Sequence, residues 1–513
     1  MPRFLATVST CVALLHCLAP VRPAAAQSPL STEAFYLEDF KSRPARIAEL
    51  IELLSIPNVA ADTANIRKNA EHLRGLLAKR GFTAEILETD GNPLVWGELI
   101  VPGAKRTLLI YCHYDGQPTD PKRWAQGDPW KPVLLAGRVE DDAQPVTDLA
   151  TRLTFGDEWR LYARSASDDK SPILGLLGAI DVLKAAKVPL TANLRVILDG
   201  EEEAGSPSLV PAITRYRDKL GADLMLILDG PQHPTNKPTL VFGARGIVTA
   251  TLTVFGPKVG VHSGNYGNWV PNPALRLAKL LAAMKDDEGR VLIPGFYDAV
   301  PALTPEEQAM LEAVPDDAAK LLAAFGIAGP ERPGMRLQEA FLAPTLNIRG
   351  LESAFVGAGA RTIIPDRAVA ELDIRLIAET KADDLTAKLR KFVADAGYHL
   401  VDGEPDDATR AQHAKIARLE VSPAFAAFRT SPFHPEAKKL IAAIEAGWEE
   451  PPIVLRTAGG TVPIAPFIEA LGLPAILVPT VNFDNHQHEE NENLRLGNFF
   501  DGLYVISTAL TLE

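Results

Sequence analysis

At 513 residues the chain is too long for one ordinary hydrophobic core, so two units, or one unit with a large insertion, are expected. Its apolar share of 47% and charged share of 23% are those of a soluble globular protein. A formal net charge of −13 argues against nucleic acid and anionic membrane surfaces as partners, but leaves the substrate open, because a cationic pocket can hide inside an acidic average.

The chain starts with Arg3, an apolar run over residues 4–18, and an exit at Ala24-Ala25-Ala26. This pattern predicts a secretory signal cleaved after Ala26, leaving a periplasmic or secreted protein with no membrane attachment. The run is shorter than the roughly 20 apolar residues of a membrane span. Cys17 invites comparison with a lipoprotein site, but His16 is a poor residue ahead of a lipidated cysteine. Cys11 and Cys17 would leave with the signal, so Cys112 would remain alone and no intramolecular disulfide could form. Cys112 lies within an apolar run and reads as a small hydrophobe.

Beyond residue 31, Ile47, Leu50, Ile51 and Leu54 recur at helical spacing. A second helix is expected over 66–80, stopped by Gly81. Strands are expected at 83–87, 94–101, 108–112, 196–198, 224–228 and 475–478, the last four apolar throughout. With helices at 173–186 and 209–217 between them, these describe an α/β unit: a central mixed, largely parallel sheet flanked by helices. Ligands of such sheets bind beyond the carboxyl ends of the strands. The middle of the chain differs, with open alternation from Val248 to Val254, helices near 273–284, 305–325 and 383–395, and strands at 367–376 and 416–421. It reads as an inserted α+β unit over 245–425, splitting the first unit into 32–244 and 426–513.

Candidate chemistry gathers at the strand ends. His113 and Asp115 close one strand, an arrangement in which the imidazole can bind metal while a carboxylate fixes its tautomer. Asp168-Asp169 precedes a helix and serves equally as an acidic cap or as a carboxylate bridging two cations. Glu201-Glu202-Glu203 follows a buried strand, where three carboxylates repel one another unless cations neutralise them. Asp229 ends another strand and could merely cap a turn, and His486 and His488 could be surface residues of a polar loop. Each bland reading is reasonable alone; their joint occurrence at sheet ends favours a metal-dependent hydrolase.

The segments YCHYDGQP, SASDDK, DGEEEAGS, the strand-end Asp229 and HQHEENE resemble the di-zinc metallopeptidase family of carnosinase-type dipeptidases, glutamate carboxypeptidases and aminoacylases. The likeness is nearest to the carnosinase-like branch and extends through VGVHSGNYGNWVPNP, GARTIIPDRAVAELDIRL and RTAGGTVPI. It implies two divalent ions, zinc with manganese or cobalt as alternatives, one held by His113 and Asp229 and the other by Glu203 and His488. Asp168 would bridge them, Asp115 would orient His113, and Glu202 would be the general base acting on a water that the metals acidify. The inserted unit would be the lid and dimerisation domain of a homodimer. From it His262 would stabilise the oxyanion, often across the dimer, and Arg375 would grip a substrate carboxylate. Thr362, Gly460 and Thr461 would be neighbouring substrate contacts.

The implied activity is hydrolysis of an amide beside a free carboxylate, in a dipeptide, small peptide or N-acyl amino acid. A catalytically silent metal-bound peptide-binding protein and a hydrolase of other amides are the rivals. The family's usual glycines near the DDK motif are Ala163, Ser165 and Ser171 here, and an extra stretch occupies about 135–159 near the expected entrance.

Overall fold

The computed structural model describes residues 32–512 except 150, 151, 153 and 449, so the predicted signal and its cleavage point lie outside the described residues. Eight strands form the larger sheet, in the order Thr83–Leu87, Leu94–Leu99, Asn193–Asp199, Thr107–His113, Leu224–Ile227, Ala475–Leu477, Thr239–Val241 and Ile453–Leu455. The strand ending at His113 runs parallel to both neighbours, and Ala475–Leu477 runs parallel to Leu224–Ile227. The two strands at the Thr83 edge are antiparallel.

This sheet is apolar on both faces, which is why its strands read as unbroken runs rather than as alternation. Leu108, Ile110 and Cys112 face one core, with the helices Thr32–Leu54, Thr63–Lys79, Lys170–Ala185 and Leu496–Leu510. Leu109 and Tyr111 face the other, with Leu209–Leu220 and Ala465–Leu471. Burial pushes the Cys112 thiol well above its ordinary value, in keeping with an inert packing residue.

The second sheet has five strands, in the order Thr345–Glu352, Arg367–Leu376, Gly246–Phe255, Ile416–Val421 and His399–Leu400. Here one face is covered, and the residues alternate: Val248, Ala250, Leu252 and Val254 are buried, as are Ala368, Ala370, Leu372, Ile374 and Leu376. They share a core with helices Pro273–Ala282 and Ala382–Asp395. Leu376 and Ile374 point inward, so Arg375 between them turns to the open face. The chain passes between the two cores at a short ribbon, Gly243–Ala244 against Phe428–Arg429.

Two expectations need correcting. The helix expected over 305–325 is two helices, Pro305–Ala313 and Ala318–Phe325. Pro315 supplies no backbone N–H and disfavours helix at Val314, and Asp317 then caps the second helix by accepting from Lys320 N at 2.9 Å. The edge strand Thr345–Glu352 escaped the sequence reading because a bulge at Ile348/Gly350 breaks its alternation.

Gly178 sets the packing of three helices. A Cβ there would lie 2.5 Å from Arg46 Nε and 2.9 Å from Leu503 Cδ2. Arg46 cannot retreat freely, because the buried Asp39 carboxylate and Ser42 Oγ hold its guanidinium. Gly178→Ala is therefore expected to destabilise the protein by about 1–3 kcal/mol, read as a lowered urea midpoint at unchanged m-value.

Candidate metal centre

Each acidic or imidazole group of the centre leaves the larger sheet at a strand end. His113 is the last residue of its strand, Asp229 lies two residues beyond Ile227, and Glu202 and Glu203 form a 3-10 turn after Asp199. Asp168 arrives on the turn before the Lys170–Ala185 helix, and His488 on the loop between Ala475–Leu477 and the Leu496–Leu510 helix. These side chains meet in two groups, His113–Asp168–Asp229 and Asp168–Glu203–His488, the ligand atoms of each lying within 4.8 Å of one another. Asp168 belongs to both. His113 Nε2 stands 2.8 Å from Asp168 Oδ1, and His488 Nε2 stands 3.1 Å from Asp168 Oδ2 and 3.3 Å from Glu203 Oε2. One carboxylate thus presents each oxygen to a different imidazole.

The electrostatics describe an excess of buried negative charge. Burial together with the neighbouring Asp168 carboxylate raises Asp229 to about 6 and Glu203 to about 7. Burial drives Glu202 well above the carboxylate range, and Asp229, Asp168 and Glu203 add to the effect. Asp168 moves the other way: burial opposes its charge, but hydrogen bonds from His113 and His488 hold it well below the usual range. The hydrogen bond to Asp168 raises His488 to about 9. Four carboxylates against two imidazoles leave negative charge that divalent cations would neutralise, and a nitrogen–oxygen donor set suits zinc, manganese or cobalt. The residues present therefore fit a pair of metal ions sharing Asp168.

A second ring of residues fixes the donors. Asp115 Oδ1 lies 3.3 Å from His113 Nδ1, while its two oxygens accept the backbone N–H groups of Glu202 and Glu203, each at 3.0 Å. It orients the imidazole and the glutamate turn together. Glu201 faces away, accepting from Asn92 N and Ser208 N, so only two of the three consecutive glutamates reach the centre. Asp169 does not cap its helix with its side chain; it accepts the His113 N–H at 3.0 Å.

The sequence reading missed the role of Glu492. Its buried carboxylate accepts from Arg164 Nη1 at 2.8 Å and from the N–H groups of Ser165, Ser167 and Asp168, each at 2.9 Å. Its signal was present in the HEENE segment, four residues beyond His488. Ser165, one of the replaced glycines, has φ +60°, a left-handed conformation that glycine enters without penalty. Here the bond to Glu492 and another from Asn58 Nδ2 to Ser165 Oγ hold the serine in place.

The centre opens into a cavity of about 1480 Å³ between the two units. Asp168, Glu202, Glu203, Asp229 and His488 line it, and so do Arg375, Gly460 and Thr461. Arg375 Nη1 donates to Thr461 Oγ1 at 2.9 Å. The extra stretch supplies wall: Arg138 pairs with Asp484 and Glu158 with Arg495, all four facing the cavity. His262 and Thr362 are not brought there. They stand exposed, outside the cavity, with His262 Nε2 3.2 Å from Thr362 Oγ1.

A model of the peptidase dimerisation domain matches residues 242–400. The M20 family metallo-carboxypeptidase from Sulfolobus solfataricus superposes with a TM-score of 0.71 at 29% identity, covering 91% of this chain and 98% of that one. Across nearly its whole length the chain is similar to metallopeptidases of the M20 family. It is 28% identical to the Cys-Gly metallodipeptidase dug1 of Schizosaccharomyces pombe, over 93% of its own length and 98% of the relative's. It is 27% identical to the Beta-Ala-His dipeptidase of Homo sapiens, over 80% and 75%.

Because Asp168 is common to both groups, Asp168→Asn is expected to lose both divalent ions. Glu202→Gln, outside both groups, should keep them. Metal content per chain after dialysis, measured by mass spectrometry, reads the difference.

Proposed function

We propose that this protein is a metallopeptidase of the M20 type that hydrolyses the amide bond next to a free carboxylate in dipeptides and other small peptides or N-acyl amino acids. The sharing of Asp168 between two ligand groups, beside a cavity that also holds Arg375, is the observation that carries the reading. The dipeptidase names of the yeast and human relatives support the substrate class.

Metal ions held by His113, Asp168 and Asp229 and by Asp168, Glu203 and His488 would supply Lewis acidity, polarising the scissile carbonyl and acidifying a water. Glu202 then acts as general base. Its backbone is fixed by Asp115, its carboxyl faces the cavity, and its raised pKa suits a group that takes a proton from water and later passes it to the leaving nitrogen. Arg375, steadied by Thr461, receives the substrate carboxylate through a planar pair of N–H donors. Gly460 lines the same cavity and presents no side chain to it.

The reading includes a homodimer. His262 and Thr362, exposed and paired with each other, would complete the cavity of a second copy, where the imidazole would steady the developing oxyanion. The reading also includes export: the basic start, apolar run and Ala-x-Ala exit support a signal removed after Ala26. Among the described residues no helix is long and apolar enough to cross a membrane.

Chelation is expected to abolish dipeptide hydrolysis and zinc, manganese or cobalt to restore it; full activity in metal-free protein would refute the reading. Glu202→Ala is expected to lower turnover by about 10²–10⁴-fold with both metals retained, and near-normal turnover would remove Glu202 from the base role. For Arg375→Ala the loss should concentrate on substrates with a free carboxylate. Equal losses on amidated analogues, compared as kcat/KM, would exclude the clamp.

A further inference from the structure

Arg245 sits where the chain crosses from one unit to the other, between the Gly243–Ala244 ribbon and the strand Gly246–Phe255. Its backbone N–H approaches the carbonyls of Ala458 and Gly460 at 3.4 and 3.1 Å, and its Nε donates to Gly459 O at 3.0 Å. The guanidinium lies over the Phe341 ring, 5.0 Å from the centroid. Phe341 in turn packs on Gly459, where an added Cβ would be only 3.0 Å from the ring. One arginine thus ties the inserted unit, through Phe341, to the loop carrying Gly460 and Thr461.

Its charge is also poorly compensated. Burial and the neighbouring Arg375 press the Arg245 guanidinium down to about 10, and only Asp373 opposes them. Asp373 already stands 3.9 Å from Arg375 Nε and accepts from Asn347 Nδ2 at 2.9 Å. Of these three groups Arg375 is the one that lines the cavity, and all three are half-buried, where charges act more strongly than in water. An arriving carboxylate at Arg375 would relieve that imbalance.

We propose that Arg245 is a positioning residue for substrate recognition: it holds the 458–461 loop in place and lends its positive charge to the carboxylate pocket whose contact group is Arg375. This rests on the reading of Arg375 as the carboxylate clamp. Arg245 touches no substrate atom itself. Its effect falls on binding rather than on the chemical step, so it should appear in KM for substrates with a free carboxylate and in inhibition by the released amino acid.

The test compares Arg245→Gln, Arg245→Lys and Arg375→Gln in the metal-loaded full chain, on a free dipeptide and its amidated analogue. Arg245→Gln is expected to raise KM for the free dipeptide roughly tenfold and to weaken product inhibition in parallel. Turnover should fall less than about threefold, and KM for the amide should stay within about twofold. Arg245→Lys keeps the charge and should recover most of the loss. Equal KM changes on both substrates, or none, overturn the proposal, as does failure of lysine to rescue. Should Arg375→Gln itself leave the ratio of free to amidated substrate unchanged, the clamp reading falls as well. A shift with Arg375→Gln but none with Arg245→Gln removes only the role given to Arg245. If Arg245→Gln does not fold, Arg245→Lys decides: a KM near the parent's for the free dipeptide supports the charge, and one raised equally on both substrates refutes it.

Discussion

The constraint on which the rest of the molecule depends is the crowding of buried carboxylates around Asp168. Asp168, Glu202, Glu203 and Asp229 lie together at one end of a sheet, with only His113 and His488 to offset them. Desolvated like charges are unfavourable. Such a cluster persists because the fold over-determines it and because divalent cations suit the space between the groups. The same crowding prepares Glu202 for its proposed work, since a carboxyl whose pKa has been pushed upward can hold a proton between two steps.

Three carboxylates that do not reach the cavity do much of the holding. Asp115 joins His113 to the Glu202–Glu203 turn, Asp169 fixes the backbone of His113, and Glu492 gathers the Ser165–Asp168 turn with Arg164. Each satisfies backbone N–H groups that would otherwise be buried without partners. The acidic character of the site therefore has two layers, one for cations and one for the chain itself. Telling them apart needs the direction of each side chain: Glu201 and Glu202 are adjacent in sequence, yet one closes a turn while the other faces the cavity.

The division into two cores adds a second chemical element. The larger sheet brings the cation-binding groups, while the smaller sheet brings Arg375 to the same cavity on a strand whose inward neighbours bury Ile374 and Leu376. The loop of Gly459, Gly460 and Thr461, anchored by Arg245 at the crossing, links the two. Under the proposed function, a negatively charged end of a substrate and its scissile carbonyl would meet different units. Spacing between Arg375 and the cation site, set by packing of the units, would then be a determinant of substrate length.

The sequence by itself determined most of the larger sheet, though not its strands Thr239–Val241 and Ile453–Leu455, and the identity of the groups that meet around Asp168. Leu108–Cys112 is apolar without interruption because both faces are covered, and Val248–Val254 alternates because one face is. Those periodicities are local, and they survive in a single chain read alone. Donor types at strand ends are local too, so His113, Glu203 and Asp229 were visible as candidates. What only the tertiary structure decided is which neighbours share a contact. The bulged edge strand, the bracing role of Glu492 and the anchoring of the glycine loop by Arg245 all depend on partners far along the chain, whereas the split at Pro315 was a local signal left unread. A hydrogen bond between Glu492 and Ser165 spans more than three hundred residues, and no local pattern encodes a distance of that kind.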